Sequence, residues 1–262
     1  MAEPGPVVVV GAASGIGAHV LERFSARGAT VIALDIVKPA SPRAAFIECD
    51  LRDASSIGAA VAALPDGIAA IAHVAGIPGT RPAPDVLAVN FLGLRQFLEL
   101  AVPKVRPHGA VTVVASTAGA LWRQRLADLE PLLATRSIAD GLSWLNDSQA
   151  DYPVYNLSKE ATIAFVTRWS GAAWRDQRAR LNTVSPGPVE TPILGDFEQS
   201  MGKELLDGVR ATVGRHATTA DIAPVVEAVC GPDFGWMVGQ DVQLDGGFTA
   251  AMLSGGLTFP AG

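Results

Sequence analysis

Seven short apolar runs, rich in β-branched residues, recur along the chain: VVVV from 7, TVIAL from 30, AFIEC from 45, GIAAIAHV from 67, AVTVVAS from 110, RLNTVS from 180 and DVQL from 241. Most are nearly continuous in apolar character rather than alternating, which marks strands buried on both faces. Longer stretches with apolar residues at helical spacing separate them, such as GIGAHVLERFSARG, which closes on Gly28 where a left-handed cap is easiest. A strand covered on both sides needs helices on both sides. The order therefore specifies an α/β fold, a doubly wound parallel sheet, with ligands expected at the carboxyl ends of the strands.

Apolar residues make up 49% of the 262 positions and charged ones 18%, enough for a sizeable core and too apolar for disorder. No linker, repeat or low-complexity tract divides the chain, so a single domain over 1–262 is expected. Two stretches break the alternation. Residues 120–152 read as a small helical insert, too long for a loop and helical in spacing. Residues 187–214 mix prolines and glycines with the amphipathic piece FEQSMGKELLDGVRATV and read as a lid over a site.

The net charge of −6 argues against a nucleic-acid partner, which would want a basic face. Cys49 and Cys230 do not form a disulfide framework and are expected reduced and buried. The opening MAEPGPVVVVG lacks a basic region before its apolar run, and no later stretch reaches the ~18 apolar residues a membrane span needs. A cytoplasmic protein with no membrane partner is the expectation. His19, His73, His108 and His216 lie far apart without ligand spacing, so no metal is expected.

Directly after the first run comes GAASGIG, with Gly11, Gly15 and Gly17 leading into a helix and Ser14 and Ile16 inside the same turn. Glycine suits a tight strand-to-helix turn whose backbone approaches a pyrophosphate, the arrangement of a dinucleotide-binding Rossmann fold. A glycine turn alone also suits a simple βα connection; its place after a strand and before a helix favours the cofactor. Asp35 ends the second run, where a carboxylate accepts from ribose hydroxyls and repels a 2′-phosphate, which favours NAD over NADP. A solvated strand-end aspartate fits equally, and Lys38 and Arg43 nearby soften the discrimination. Asp50, with Leu51 beside it, is placed either to take the adenine amino group or to cap the helix starting near Arg52.

The segment DYPVYNLSKEA holds both tyrosines of the chain. Four residues of helix turn about 400° and rise about 6 Å, so Tyr155 and Lys159 share a face. Pro153 disfavours helical geometry at Tyr152 and is at home as the first helical residue, which puts Tyr155 in a rigid first turn. A free phenol, with pKa about 10, is too weak a base near neutral pH. An adjacent ammonium and the positive nicotinamide both favour phenolate, so Lys159 is expected to lower that pKa and to hold the nicotinamide ribose.

These pieces together resemble the short-chain dehydrogenase/reductase family from about Val7 to Gly247. The resemblance rests on GAASGIG, HVAG at 73–76, VNFLG around Asn90, ASTAG around Ser116, YNLSK at 155–159 and SPGPVETP at 185–192. The chain departs from the family at Val10, where a Thr is usual, and at His73 and Val74, where the usual pattern is Asn-Asn-Ala-Gly. The resemblance implies a catalytic set of Asn90, Ser116, Tyr155 and Lys159. Ser116, rather than its neighbour Thr117, would bind the substrate oxygen, and Asn90 would keep a water near Lys159. It further implies that Ala75, Gly76, Pro186, Gly187, Val189 and Thr191 meet the cofactor. The insert and RLNTVSPGPVETP are similar to the bacterial 3α-hydroxysteroid dehydrogenase/carbonyl reductase and coniferyl alcohol dehydrogenase group.

The expected activity is NAD-dependent oxidation of a secondary alcohol, reversible as carbonyl reduction, on an apolar cyclic, steroid-like, terpene or aromatic small molecule. Ile193, Leu194, Phe197 and Met201 in the lid, with Trp122 and Trp144 in the insert, motivate the apolar substrate, although packing of the insert explains the tryptophans equally. A non-catalytic dinucleotide scaffold or redox sensor is the alternative, and a broken catalytic set would mark it; all four residues are present. Family members associate through the helices bearing Asn90 and Tyr155, so a homo-oligomer, dimer or tetramer, is expected.

Overall fold

The computed structural model describes residues 5–148, 152–191 and 203–254. Ile193, Leu194, Phe197 and Met201 of the expected lid, and much of the apolar tail, lie outside these residues.

Each of the seven apolar runs forms a strand of one parallel sheet. The strands are β1 (Val7–Val10), β2 (Val31–Asp35), β3 (Ala44–Glu48), β4 (Ile68–His73), β5 (Val105–Val114), β6 (Arg180–Pro186) and, late in the chain, β9 (Asp241–Leu244). Their spatial order is β3-β2-β1-β4-β5-β6-β9. The order reverses beside β1, where Val7 to Val10 pair with Val31 to Leu34 on one side and Ala70 to His73 on the other. A crevice opens at the carboxyl ends of β1 and β4 for that reason. The short strands β7 (Val189–Glu190) and β8 (Ala217–Thr218) form a separate pair beyond β6.

Alternation along β1 explains the two cores. Val8 and Val10 enter one cluster with Phe91, Phe97, Leu98 and Ile163, while Val7 and Val9 enter another with Val20, Leu21, Phe24 and Val226. The first cluster is covered by α2 (Ala54–Ala62), α3 (Ala83–Leu87), α4 (Gly93–Ala101) and α7 (Val154–Gln177); the second by α1 (Gly15–Ala26) and α9 (Thr219–Cys230). Helix α1 closes as expected at Gly28, whose φ of 78° is left-handed. Cys49 and Cys230 are both buried free thiols. The helical run 83–104 is long and apolar enough to cross a bilayer, but 72% of its most apolar window is buried inside the domain.

Residues 120–148 contain α5 (Leu126–Leu133) and α6 (Ile138–Asp147). They are fastened to α4 by the buried Arg95, whose guanidinium donates to Thr135 Oγ1 at 3.1 Å and to the Ser137 carbonyl at 3.4 Å. Gly141 lets α6 lie against Leu92, because a Cβ there would overlap that side chain. Helix α8 (Lys203–Val213) comes next among the described helices after α7, and α10 (Phe248–Leu253) is the last of them.

His73, at the carboxyl end of β4, has no exposed surface, packs edge-on against Phe97 with ring centroids 5.7 Å apart, and has no hydrogen-bond partner at either ring nitrogen among the described residues. Burial, and then the nearby charge of Lys159, push its pKa from 6.5 down to about 3. Below pH 6.5 the unfolded chain binds a proton that the folded chain refuses, so this residue lowers stability progressively as pH falls from 6.5 toward 3 and has no such effect above. We expect His73→Leu to leave stability at pH 7 unchanged or higher and to remove about 2 kcal/mol of the loss between pH 7 and pH 5. Urea denaturation at the two pH values measures it; parallel losses in both proteins would refute the assignment.

Candidate active site

The crevice at the carboxyl ends of β1 and β4 is a cavity of about 760 Å³. Its floor is the glycine turn between β1 and α1. Gly11 adopts φ 82° and lies so close to the Ala75 backbone that a Cβ would stand 2.5 Å from it; a Cβ on Gly17 would overlap the Gly11 carbonyl. Only glycine permits that approach. Ala75 N and Val74 N donate to the Val10 carbonyl at 3.0 and 2.8 Å, so the turn after β4 is tied to β1 by backbone bonds that the Val10 side chain does not affect.

Asp35 ends β2, where its Oδ2 accepts from Ala13 N at 2.9 Å and its Oδ1 from Val37 N at 3.2 Å. The carboxylate thus braces the glycine turn, and its remaining lone pairs stay available toward the cavity. Asp50 also lines the cavity, but Arg52 grips it bidentately, Nε at 3.0 Å and Nη2 at 2.7 Å. Chiefly that hydrogen bond holds the Asp50 carboxyl below its ordinary range. The expected capping role of Asp50 is corrected by the structure: α2 begins at Ala54, and its cap is Asp53, which accepts from Ser55 N at 2.9 Å.

Helix α7 starts one residue later than the sequence suggests. Pro153 is the N-cap, Val154 the first helical residue and Tyr155 the second, while Tyr152 lies outside the helix. The phenol of Tyr155 is hydrogen-bonded to Ser116, which follows β5 and whose Oγ also accepts from Ala118 N at 3.1 Å; Thr117 instead opens a tight turn. Lys159, one turn on, sits with Nζ 5.7 Å from the Tyr155 ring centroid and 3.5 Å from the Val114 carbonyl. Burial pulls the ammonium down to about 8. Burial also pushes Tyr155 up to about 12, opposed in part by Ser116. The expectation that Lys159 brings the phenol down is not met by the chain alone: burial raises it, and the Ser116 hydrogen bond is what opposes that in part.

Asn90 stands behind this pair in a π-helical turn, Ala88–Leu92, inserted between α3 and α4. Its Oδ1 accepts from Ile77 N at 2.8 Å and its Nδ2 donates to the Ile77 carbonyl at 3.0 Å and to Ser158 Oγ at 3.3 Å. The side chain thus ties the loop after β4 to α7, and a Cβ on Gly76 would stand 3.3 Å from Asn90 Oδ1 and 3.4 Å from Lys159 Nζ. The extra turn is what places the amide there.

Gly11, Ser14, Gly15, Ile16, Gly17, Asp35, Asp50, Leu51, Ala75, Gly76, Ser116, Tyr155, Lys159, Pro186, Gly187, Val189 and Thr191 all line the one cavity. Asn90 does not; it is buried behind it. The sequence reading missed Ile36, Arg52, Arg81 and Leu206. Ile36, 57% exposed at the cavity mouth, directly follows Asp35 and was within reach of inspection. Arg81 and Leu206 carried no local signal, because loop closure and helix docking bring them in.

The chain belongs to the short-chain dehydrogenase/reductase family. It is 32% identical to the coniferyl-alcohol dehydrogenase of Pseudomonas sp. (strain HR199 / DSM 7063) over 93% of this chain and 96% of that one. It is 28% identical to the 3-alpha-hydroxysteroid dehydrogenase/carbonyl reductase of Comamonas testosteroni over 94% and 97%. The 3-alpha-hydroxysteroid dehydrogenase from Pseudomonas sp. B-0831, solved in complex with NADH, superposes with a TM-score of 0.80 at 26% identity, covering 95% of this chain and 99% of that one. Family models for enoyl-(acyl carrier protein) reductase and for NAD dependent epimerase/dehydratase match residues 141–249 and 7–121.

The second tyrosine has a separate job. Tyr152 donates to Glu160 Oε1 at 2.7 Å, Arg125 Nε reaches Glu160 Oε2 at 3.0 Å, and the Arg125 guanidinium stacks 3.7 Å from the Tyr152 ring centroid. We expect Tyr152→Phe to lower folding stability by about 1–2 kcal/mol, since it takes one partner from a buried carboxylate, while kcat changes less than about threefold. Urea denaturation with steady-state kinetics checks both; loss of turnover would mean the two tyrosines have been assigned the wrong way round.

Proposed function

We propose that this chain is an NAD-dependent dehydrogenase that oxidises a secondary alcohol to a ketone, reversibly, on an apolar cyclic or aromatic substrate. The observation that carries the reading is the hydroxyl pair of Ser116 and Tyr155, with Lys159 beside it, in the same cavity as the glycine turn and Asp35. The names of the similar proteins, two of them hydroxysteroid dehydrogenases and one a coniferyl-alcohol dehydrogenase, support the substrate class.

The residues fit a dinucleotide. Gly11 and Gly17 let the turn fold tightly against Ala75 and against its own backbone at the cavity wall, Asp35 lines the same cavity at the end of β2 as a carboxylate for a ribose, and Ile36 offers an exposed apolar surface for an adenine. When bound, NAD⁺ supplies the hydride acceptor and a positive charge. Ser116 donates to the substrate oxygen and stabilises the charge that develops on it. Tyr155 exchanges the carbinol proton: its phenol, up at about 12 in the chain alone, is ready to donate in the reductive direction and needs added positive charge to act as base in the oxidative one. Lys159 keeps its charge below about 8 and contributes to that bias.

Tyr155→Phe should lower kcat by at least about a thousandfold with NADH affinity within about twofold, read by absorbance at 340 nm and by fluorescence titration. Substantial residual turnover would remove Tyr155 from the proton step. Asp35→Ala should shrink the kcat/KM preference for NAD over NADP by about tenfold or more, and an unchanged ratio would show that another residue sets it.

A further inference from the structure

A smaller cavity of about 230 Å³ shares wall residues with the main one. Arg81 and Tyr155 line both cavities. Ala83 and Val86 of α3 wall the smaller one on one side, Pro153 and Val154 on the other, and Gly79 leaves its loop wall bare. Among the described residues its one polar wall residue besides the shared pair is Asn156. Arg81 is thus the single full charge among the described residues lining it, and no carboxylate stands within ion-pair distance of Arg81 among the described residues. Of the acidic groups on the main cavity wall, Asp50 is held by Arg52.

We propose that the smaller cavity is the subsite for an anionic substituent of the substrate, a carboxylate carried on the ring of the alcohol, and that Arg81 recognises it. The proposal rests on the dehydrogenase reading above. A guanidinium stays charged at any working pH and presents a planar fork that matches a carboxylate bidentately. The space corresponds to about eight water-sized groups, room for a ring substituent but not for a second large ring system. Because Tyr155 belongs to both linings, an alcohol whose carbinol meets the phenol can extend its substituent toward Arg81. A neutral alcohol leaves Arg81 hydrated at the cavity mouth and loses only the charged contact, so the residue acts on affinity for the acid and not on the proton step.

The test compares 4-(1-hydroxyethyl)benzoate with 1-phenylethanol on the wild type, Arg81→Gln and Arg81→Lys, and measures binding of the unreactive 4-ethylbenzoate to the NADH complex of each by calorimetry. For Arg81→Gln we expect KM for the acid and Kd for 4-ethylbenzoate to rise about tenfold or more, with kcat for both alcohols and KM for the neutral one within about twofold. Arg81→Lys should fall between, since it keeps the charge and loses the fork. Equal 4-ethylbenzoate affinity in wild type and Arg81→Gln would overturn the proposal. So would a fall in NADH affinity with both alcohols affected alike, which would assign Arg81 to the phosphates of the dinucleotide. If neither alcohol is oxidised but 4-ethylbenzoate binds through Arg81, the anion subsite stands and the dehydrogenase reading fails.

Discussion

The first half of α7, from Tyr155 to Val166, is almost wholly removed from water, and that desolvation governs the rest of the site. Ser158, Lys159, Glu160 and Thr162 are consecutive or nearly so, and none exceeds 5% exposure. A buried polar group without a partner costs more than a hydrogen bond returns, so each of these residues dictates what must pack against it. Ser158 donates to the Tyr155 carbonyl at 2.7 Å and accepts from Asn90; the Thr162 hydroxyl lies 2.8 Å from the Ser158 carbonyl and 3.0 Å from that of Asn90. Glu160 draws in Arg125 and Tyr152. Lys159 is the exception, with a single carbonyl, at 3.5 Å, among the described residues. The one under-satisfied group of the four is the one that faces the cavity, which is where an unmet hydrogen-bonding capacity can serve a ligand.

The same constraint explains how the residues between β5 and α7 are held. Arg125 precedes α5 and is bound to Glu160, Glu130 of α5 reaches Arg168 of α7 at 2.6 Å, and Arg95 of α4 takes the connection between α5 and α6. The pair at the surface adds little, since both side chains are about half exposed. The weight falls on Glu160, whose side chain has no exposure: taking away Arg125 would leave a buried charge with one phenol for company. The insert and the first turns of α7 are in this sense one unit, and the backbone that presents Tyr155 is fixed from outside the cavity as well as from within.

What could be read from the sequence divides along the range of the interactions involved. The strands, the glycine turn, Gly28, and the start of α7 near Pro153 depend on residues within a few positions of each other, and periodicity or backbone restriction reveals them. Tyr155 and Lys159 were legible for the same reason, being four apart on one helix. Asp53 went unread as the cap of α2, because Asp50 is equally acidic and lies just before the same helix, and Arg52 folds back onto Asp50. The π turn at Asn90 left no mark in AVNFL, since an extra residue in a helical turn changes packing and not composition. Tyr152 looked like a rival for the proton because one partner, Arg125, lies at the far end of the insertion and the other, Glu160, inside α7. Arg81 reaches the cavity by loop closure alone.

The direction of the tyrosine's shift shows what sequence pattern leaves out. An ammonium one turn from a phenol suggests a lowered pKa only if both remain hydrated enough for their attraction to dominate. Here Tyr155 is 9% and Lys159 5% exposed, and desolvation acts on both in the sense that favours neutrality, raising the acid and lowering the base. His73 responds to the same field, held neutral by burial and by the charge of Lys159. A protonated imidazole there would add a second positive charge to a region that already strains to keep one. Of the two bases, Lys159 is the one that carries charge near neutral pH, and His73 stays neutral beside it.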